Sequence, residues 1–282
     1  MRATLAVMTP LLAFVAAGAG PVPARRGPPV DNVMIVVLEN ADFKTAVRQP
    51  FLGRLAREGA LLNNFHAVGH PSQPNYVALT AGTMNGVDSN DPVSLGVRHI
   101  GDLLEAKGMS WKAYAEDYPG GCYLKEESGK YARKHLPFLS FHNIQSDQER
   151  CSNRVVNAAE LARDVNSGRL PRYSLYVPNL RNDGHDTDVR HADHWMAQTF
   201  GPLLANPRFT NRLLFIVTFD EADKDHTNHI YTSLWGAGVR PGATSGARYD
   251  HYNLLRTVED LLGLGTLGKH DASAASIADI WK

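Results

Sequence analysis

Cysteine is scarce in this chain: Cys122 and Cys151 are the only two in 282 residues, and no Cys-x-x-Cys occurs. That argues against a thiolate zinc site or a dithiol redox centre. Net charge is also missing, because 29 Lys and Arg balance 29 Asp and Glu. With no basic run carrying interleaved aromatics, the electrostatic footprint of a nucleic-acid binder is absent. Beyond the first twenty residues no apolar stretch reaches the ~20 residues that a membrane span needs. There is no Gly-x-Gly-x-x-Gly after a strand, no P-loop and no Gly-x-Ser-x-Gly elbow, so nucleotide cofactors and the usual hydrolase elbow lack support. Internal repeats and low-complexity tracts are lacking too.

What is present begins with an address. Arg2 precedes an apolar run from Leu5 to Ala17, followed by Gly18-Ala19-Gly20. A positive start, an apolar centre and small residues read as a secretory signal, here residues 1–19, followed by a Pro/Arg/Gly linker over 20–30. The expected location is secreted or periplasmic. In an oxidising compartment Cys122 and Cys151 are expected to form one disulfide rather than remain two buried thiols. The remainder, 31–282, reads as a single domain with a polar, Gly-rich, Cys-containing surface insertion near 117–154.

Two apolar runs in that domain end alike. Val33-Met34-Ile35-Val36-Val37-Leu38 leads into Glu39-Asn40, and Leu213-Leu214-Phe215-Ile216-Val217-Thr218-Phe219 leads into Asp220-Glu221. Short β-branched runs of this kind predict strands buried on both faces, as in a parallel sheet. Further strands are expected near 60–65, 110–115, 173–177 and 231–235. Helices are expected over 50–60, 76–80, 99–107, 157–165, 191–204 and 251–262. The last places Leu254, Leu255, Val258 and Leu262 inward. Strands alternating with helices predict an α/β fold with a mostly parallel central sheet flanked by helices.

Carboxylates are tolerated at the carboxyl ends of such strands, where open α/β sheets bind ligands. Glu39, Asn40, Asp220 and Glu221 together offer hard oxygen donors suited to a divalent cation such as Mg, Ca or Mn. The plainer reading is an N-capping Asn40 and an exposed Glu221. Ser72 precedes a helix start, where an N-cap serine is common; the same position suits a nucleophile backed by free N–H groups and a metal. His70 and Asn75 lie beside it in sequence and can orient it or donate to an oxyanion. His185 and Asp186, after a strand and the turn residue Gly184, suggest a ligand, a general acid or a phosphate donor. His251 begins a helix that can face the same sheet edge. His229 is open between core and site.

The quoted motifs bear a resemblance. Glu39-Asn40, His70-Pro71-Ser72-Gln73-Pro74-Asn75-Tyr76, Asn179 with Asn182-Asp183-Gly184-His185-Asp186, Thr218-Phe219-Asp220-Glu221 and His251-Tyr252-Asn253 resemble the phosphoesterase family of bacterial secreted acid phosphatases and phospholipases C. That family belongs to the alkaline phosphatase superfamily. The stretch Lys130-Tyr131-Ala132-Arg133-Lys134-His135 is similar to the mycobacterial branch of acid phosphatases, which acts on phosphatidylinositol 3-phosphate. The resemblance spans roughly 31–281. It implies a three-layer alkaline-phosphatase-like fold and one metal held by Glu39, Asn40, Ser72, Asp220 and Glu221, with Ser72 as nucleophile. It also implies phosphate binding and acid–base work by His185, and a ligand match at His251 in members with two metals.

The expectation is a secreted, metal-dependent phosphomonoesterase that passes through a phosphoserine. Ser72, His185, His70 and His251 are its catalytic candidates, and Asn75, Asp186 and His229 its substrate-binding ones. Its partners would be small phosphate esters or phospholipid headgroups. Two alternatives stand: a phosphodiesterase of phospholipase C type, and a metal-free serine esterase using Ser72, Asp220 and His251. Asp220-Glu221-Ala222-Asp223 departs from the Gly-Gly-x-Tyr-Asp-His continuation of the phospholipases, which disfavours a choline phospholipid.

Overall fold

The computed structural model describes Met1 and residues 30–282. The expected signal and linker therefore lie almost entirely outside the described residues. Eight strands build the main sheet: β1 (Asn32–Leu38), β2 (Ala60–Leu62), β3 (Trp111–Ala115), β4 (Val155–Asn157), β5 (Tyr173–Val177), β6 (Leu213–Phe219), β7 (Thr232–Gly236) and β8 (Ala243–Ser245). Their order is β8-β2-β7-β6-β1-β5-β3-β4. The run β6-β1-β5-β3-β4 is parallel throughout. β7 is antiparallel to both β6 and β2, and β8 is parallel to β2.

The two marked runs are the centre of this sheet. β1 and β6 are direct neighbours, in register from Asn32–Leu213 to Leu38–Phe219. Every residue of β6, and every residue of β1 after Asn32, is buried. Their continuous apolar character follows from cover on both faces. Because the register ends with Leu38 opposite Phe219, Glu39 and Asp220 leave the sheet side by side. The backbone N–H of Asp220 still donates to the Leu38 carbonyl at 3.0 Å.

Two groups of helices flank the sheet. One contains α1 (Pro50–Glu58) packed on α6 (Val189–Leu204); the other contains α2 (Ser72–Ala81) packed between α7 (His251–Leu262), α3 (Ile100–Ala106) and two 3₁₀ turns, Arg133–His135 and Pro137–Ser140. All ten residues of α2 are buried. A helix covered all round carries no amphipathic stripe, and periodicity accordingly finds only 76–80 of it. The helix starts four residues earlier, at Ser72, with Pro74 in its first turn. The expected helix over 157–165 is in fact α5 (Glu160–Asn166), preceded by the edge strand β4.

The segment 117–154 departs from the surface insertion expected of it. Its first part is polar, but Tyr131, Arg133, His135, Leu136, Phe138, Leu139, Phe141 and Ile144 are buried. Phe138 stacks against Trp111 of β3 with ring centres 4.4 Å apart. The polarity at its start and the short lengths of its pieces hid an apolar centre. Cys122 and Cys151 form the expected disulfide, with Cα atoms 5.6 Å apart, closing the segment onto helix α4 (Gln148–Arg154).

Candidate active site

The site lies where β1 and β6 end. Glu39, at 1% exposure, and Asp220, also at 1%, are the first residues past the two strands. Asn40 follows at φ 40°, in the left-handed region that a short polar side chain tolerates. That bend turns the chain so that the Asn40 N–H points at Asp220 Oδ1, 3.4 Å away. The Glu39 N–H donates to the Asp183 carbonyl at 3.0 Å, which ties in the loop after β5. Gly184 in that loop takes φ 111°, and a Cβ there would stand 3.1 Å from the Glu39 carbonyl. A side chain would push the two loops apart.

Ser72 enters from α2, of which it is the first residue. Its Oγ donates to Glu39 Oε2 at 3.1 Å and stands 3.3 Å from Glu221 Oε1. The serine that sequence places between the two strand ends in the chain is therefore between them in space. Tyr76, one turn on, donates its hydroxyl to Glu39 Oε1 at 2.9 Å. His70 Nδ1 contacts Glu221 Oε2. Asn228 fastens the two loops: its Oδ1 accepts from the Ala222 N–H at 2.8 Å and its Nδ2 donates to the Gly69 carbonyl at 2.9 Å.

Asn75 does other work than oxyanion binding. Its Oδ1 accepts from the N–H groups of Val68 and Gly69, both at 3.0 Å, and its Nδ2 donates to the Gly69 and Pro71 carbonyls. It is consumed in holding the loop that presents Ser72. His229 lies outside the cluster: it stacks on Phe43 and His66, and its Nε2 hydrogen-bonds the Asn63 carbonyl. His251 is buried behind β6, with Nε2 hydrogen-bonded to the Phe219 carbonyl at 3.2 Å and no hydrogen bond to Ser72. A serine–histidine pair is therefore not assembled here. Burial pushes the His251 imidazole down to about 4.

His185 and Asp186 sit at the rim. His185 Nδ1 is 3.0 Å from Asp186 Oδ1, and its Nε2 is 3.2 Å from Lys134 Nζ. Asp186 also accepts from Lys130 Nζ at 2.8 Å. Asp186 thus orients His185 and pairs a lysine.

His135, Asp183 and Tyr76 are site residues to which sequence reasoning gave no role, although all three lie in the stretches that carry the resemblance. His135, 1% exposed, is wedged between carboxylates: Nε2 is 3.2 Å from Glu39 Oε1, and Nδ1 is 3.4 Å from Asp183 Oδ2. Its ring stacks on Tyr76, with centres 5.3 Å apart. The buried Arg133 fixes this turn by donating to the carbonyls of Leu124, Val93 and Leu139. The available signal was the stretch Lys130–His135, which resemblance picked out but local pattern did not.

The electrostatics follow from this crowding. Burial opposes protonation of His135, but the Glu39 and Asp183 carboxylates overcome it and raise the imidazole to about 9. Glu39 is the mirror case: burial would raise it, yet His135, with help from Asp220 and Lys134, takes it down to about 2. Among the described residues no cation pairs with Asp220. Burial, then the charges of Glu39 and Glu221, push its carboxyl well above the usual range. Glu221 is also raised, by burial first, against the pull of His70.

The donor chemistry suits a hard cation. Asn40 Oδ1 and Asp220 Oδ2 are buried oxygens without a hydrogen-bond partner, which is costly unless something satisfies them. The side chains of Glu39, Asn40, Ser72, Asp220 and Glu221 all offer oxygen, the donor that Mg, Ca or Mn prefers. Among the described residues no group of three His, Cys, Asp or Glu side chains is already gathered as a metal cage. The fit is one of chemistry and unsatisfied charge.

Comparison with known proteins gives the family and the fold. The Phosphoesterase family profile matches residues 41–265. A phosphatidylinositol-3-phosphatase of Mycobacterium tuberculosis is 36% identical over 259 residues, covering 90% of this chain and 84% of that one. A phosphate-repressible acid phosphatase of Penicillium chrysogenum is 34% identical over 265 residues, covering 90% of this chain. The chain spans only 64% of that fungal relative. Among solved structures, an alkaline phosphatase superfamily protein of Vibrio parahaemolyticus superposes with a TM-score of 0.64 at 15% identity, over 91% of this chain and 72% of the other. The fold is that of the alkaline phosphatase superfamily, and the chain belongs to the phosphoesterase family.

Proposed function

We propose that this chain is an exported phosphomonoesterase with Ser72 as its nucleophile. The carrying observation is the placement of Ser72 Oγ between Glu39 Oε2 and Glu221 Oε1 at the first turn of a buried helix. Supporting it, the relatives named above carry acid phosphatase and phosphoinositide phosphatase names at 34% and 36% identity.

Glu39, Asn40, Asp220 and Glu221 would hold a divalent cation beside Ser72. Bound there, such an ion lowers the serine pKa and offsets phosphate charge. The chain's own residues do the rest. Glu221, whose Oε1 stands 3.3 Å from Oγ, receives the Ser72 proton as Oγ attacks phosphorus in line with the leaving oxygen. The new Oγ–P bond forms as the P–O bond to the leaving group breaks. At the start of α2 the Gln73 N–H donates to Asn90 Oδ1 at 3.0 Å and Pro74 has none, so the Ser72 N–H is the one that would face an equatorial oxygen. His185 Nε2, with Nδ1 held by Asp186 at 3.0 Å, is the atom at the rim that takes a proton from the attacking water. Water then opens the phosphoserine and releases phosphate.

The test is turnover of a generic phosphomonoester, a choline phospholipid and a carboxyl ester, each before and after chelation, with metal analysis of the same sample. Chelation-sensitive monoester release supports the proposal. Carboxyl-ester cleavage that survives chelation would replace it with the serine esterase. A phosphoinositide belongs in the monoester set because of the mycobacterial relative's name. Export is supported by the reading of residues 1–19 and by the Cys122–Cys151 disulfide.

A further inference from the structure

β3 ends as β1 and β6 do, on a carboxylate. Glu116 is the first residue past Ala115, and its N–H continues the ladder by donating to the Val177 carbonyl at 3.0 Å. Its oxygens make no hydrogen bond to Ser72 and divide instead between scaffold and loop. Oε1 accepts from the Tyr176 hydroxyl of β5 at 3.3 Å and from Trp195 Nε1 of α6 at 3.2 Å. Oε2 accepts from the Asn179 N–H at 3.1 Å and from Asn182 Nδ2 at 2.7 Å. An ionised carboxylate accepts at about four lone-pair sites and donates at none. All of that capacity is in use here, so the side chain is spent as a tie.

The tied loop is the one that serves the site. Between β5 and α6 it has no helix or strand of its own, so side-chain contacts set its path. Asn182 leads directly to the buried Asp183. Asp183 accepts the Glu39 N–H on its carbonyl at 3.0 Å and the His185 N–H on Oδ1 at 2.8 Å. On the scaffold side Tyr176 and Trp195 are both buried. Glu116 therefore fastens an irregular segment to two packed elements.

We infer that Glu116 is a positioning residue for His185: it clamps the loop 179–186 to β5 and α6 so that the imidazole stands where the attacking water loses its proton. This rests on the phosphomonoesterase reading above. In that step the water oxygen bonds phosphorus, the P–Oγ bond breaks and the water's proton passes to His185 Nε2. Ser72 attack has Glu221 as its proton acceptor instead. A loosened loop therefore slows the opening of the phosphoserine more than its formation.

The test compares wild type with Glu116→Met, His185→Ala and the double variant. It measures turnover of an aryl phosphomonoester and the phosphoserine trapped at Ser72 by acid quench. Glu116→Met removes every acceptor site at similar length. It should lower kcat about 100-fold, the scale of a catalytic group displaced by about 1 Å, and phosphoserine should accumulate as it does in His185→Ala. Because the two residues act on one step, the double variant should lie within about threefold of the slower single variant. Losses that multiply, a folded Glu116→Met with wild-type kcat, or slow turnover without trapped phosphoserine would overturn the inference. Should Glu116→Met fail to fold, judged by near-ultraviolet circular dichroism, Asn182→Ala takes its place in the same cycle and is read against the same outcomes. It cuts only the loop side of the tie, at a half-buried residue. A wild type that hydrolyses no phosphomonoester would instead end the phosphomonoesterase reading, and this inference with it.

Discussion

Two regions converge on Ser72, and they are built differently. The strand ends, Glu39-Asn40 and Asp220-Glu221, project acids from neighbouring parallel strands in register. The segment 117–154 reaches the same point from irregular turns and brings a buried base, His135, and the rim lysines 130 and 134. The first region concentrates negative charge that its own residues cannot neutralise. The second supplies part of the compensation: His135 Nε2 lies 3.2 Å from Glu39 Oε1, while no cation among the described residues pairs with Asp220. The contrast shows why the sheet edge alone is not a finished site, and why we propose a cation there.

The largest effect expected is at the point of convergence. Ser72→Ala should lower phosphomonoester turnover by about 10⁴-fold or more, since loss of a nucleophile costs that order, with the fold intact by circular dichroism. A residual rate within tenfold of wild type would leave the two regions with nothing to act on.

The next two predictions separate the regions. His135→Ala removes the base from a buried acid–base group and should cost about 3–5 kcal/mol in urea unfolding, because it strands Glu39 and Asp183. Asp220→Asn should do the reverse in chelator. It relieves repulsion from Glu39 and Glu221 and should raise stability by about 1 kcal/mol, while phosphatase activity is lost. If both variants shifted stability in the same direction, the division into an acid-rich and a compensating region would fail.

His135 contributes one part of the pH dependence. Its folded pKa is raised, against burial, by Glu39 and Asp183 to about 9, from an unfolded 6.5. The stability it contributes is present below 6.5 and is lost as pH rises through about 9. Melting temperature in chelator should therefore decline over that window, and the decline should flatten in His135→Gln.

Smaller effects sharpen the outer parts. Replacing Cys122 and Cys151 by Ser opens a loop of 29 residues, which should cost about 2–4 kcal/mol and loosen the turn that carries His135. Denaturant melts of the double variant, with activity followed at low temperature, check this. His229→Ala should change kcat/KM by less than about threefold, consistent with its stack on Phe43 and His66 away from Ser72. A loss of tenfold or more would return it to the site.

Legibility in the sequence follows the same division. β1 and β6 were readable because strands buried on both faces leave unbroken apolar runs, and acids at their ends stand out. Helix α7 was readable from its stripe, and Leu254, Leu255, Val258 and Leu262 are indeed buried. Helix α2 was half lost, because burial on all sides erases periodicity. His135 was invisible to pattern, since a lone histidine in a 3₁₀ turn gains its role only from Glu39 and Asp183, which are 96 and 48 residues away in the chain. Asn75 was placed correctly near Ser72, but its four loop hydrogen bonds could not be foreseen from its neighbours in sequence.

The central claim is that the acid-rich strand ends hold a cation on which Ser72 depends. The most direct measurement is the divalent metal content of the purified protein and of Glu39→Ala, taken with phosphomonoester turnover before and after chelation. The account predicts about one ion per chain in the wild type, little in the variant, and activity that leaves with the metal and returns on its addition. Full activity in a metal-free wild type, or in Glu39→Ala, would contradict it.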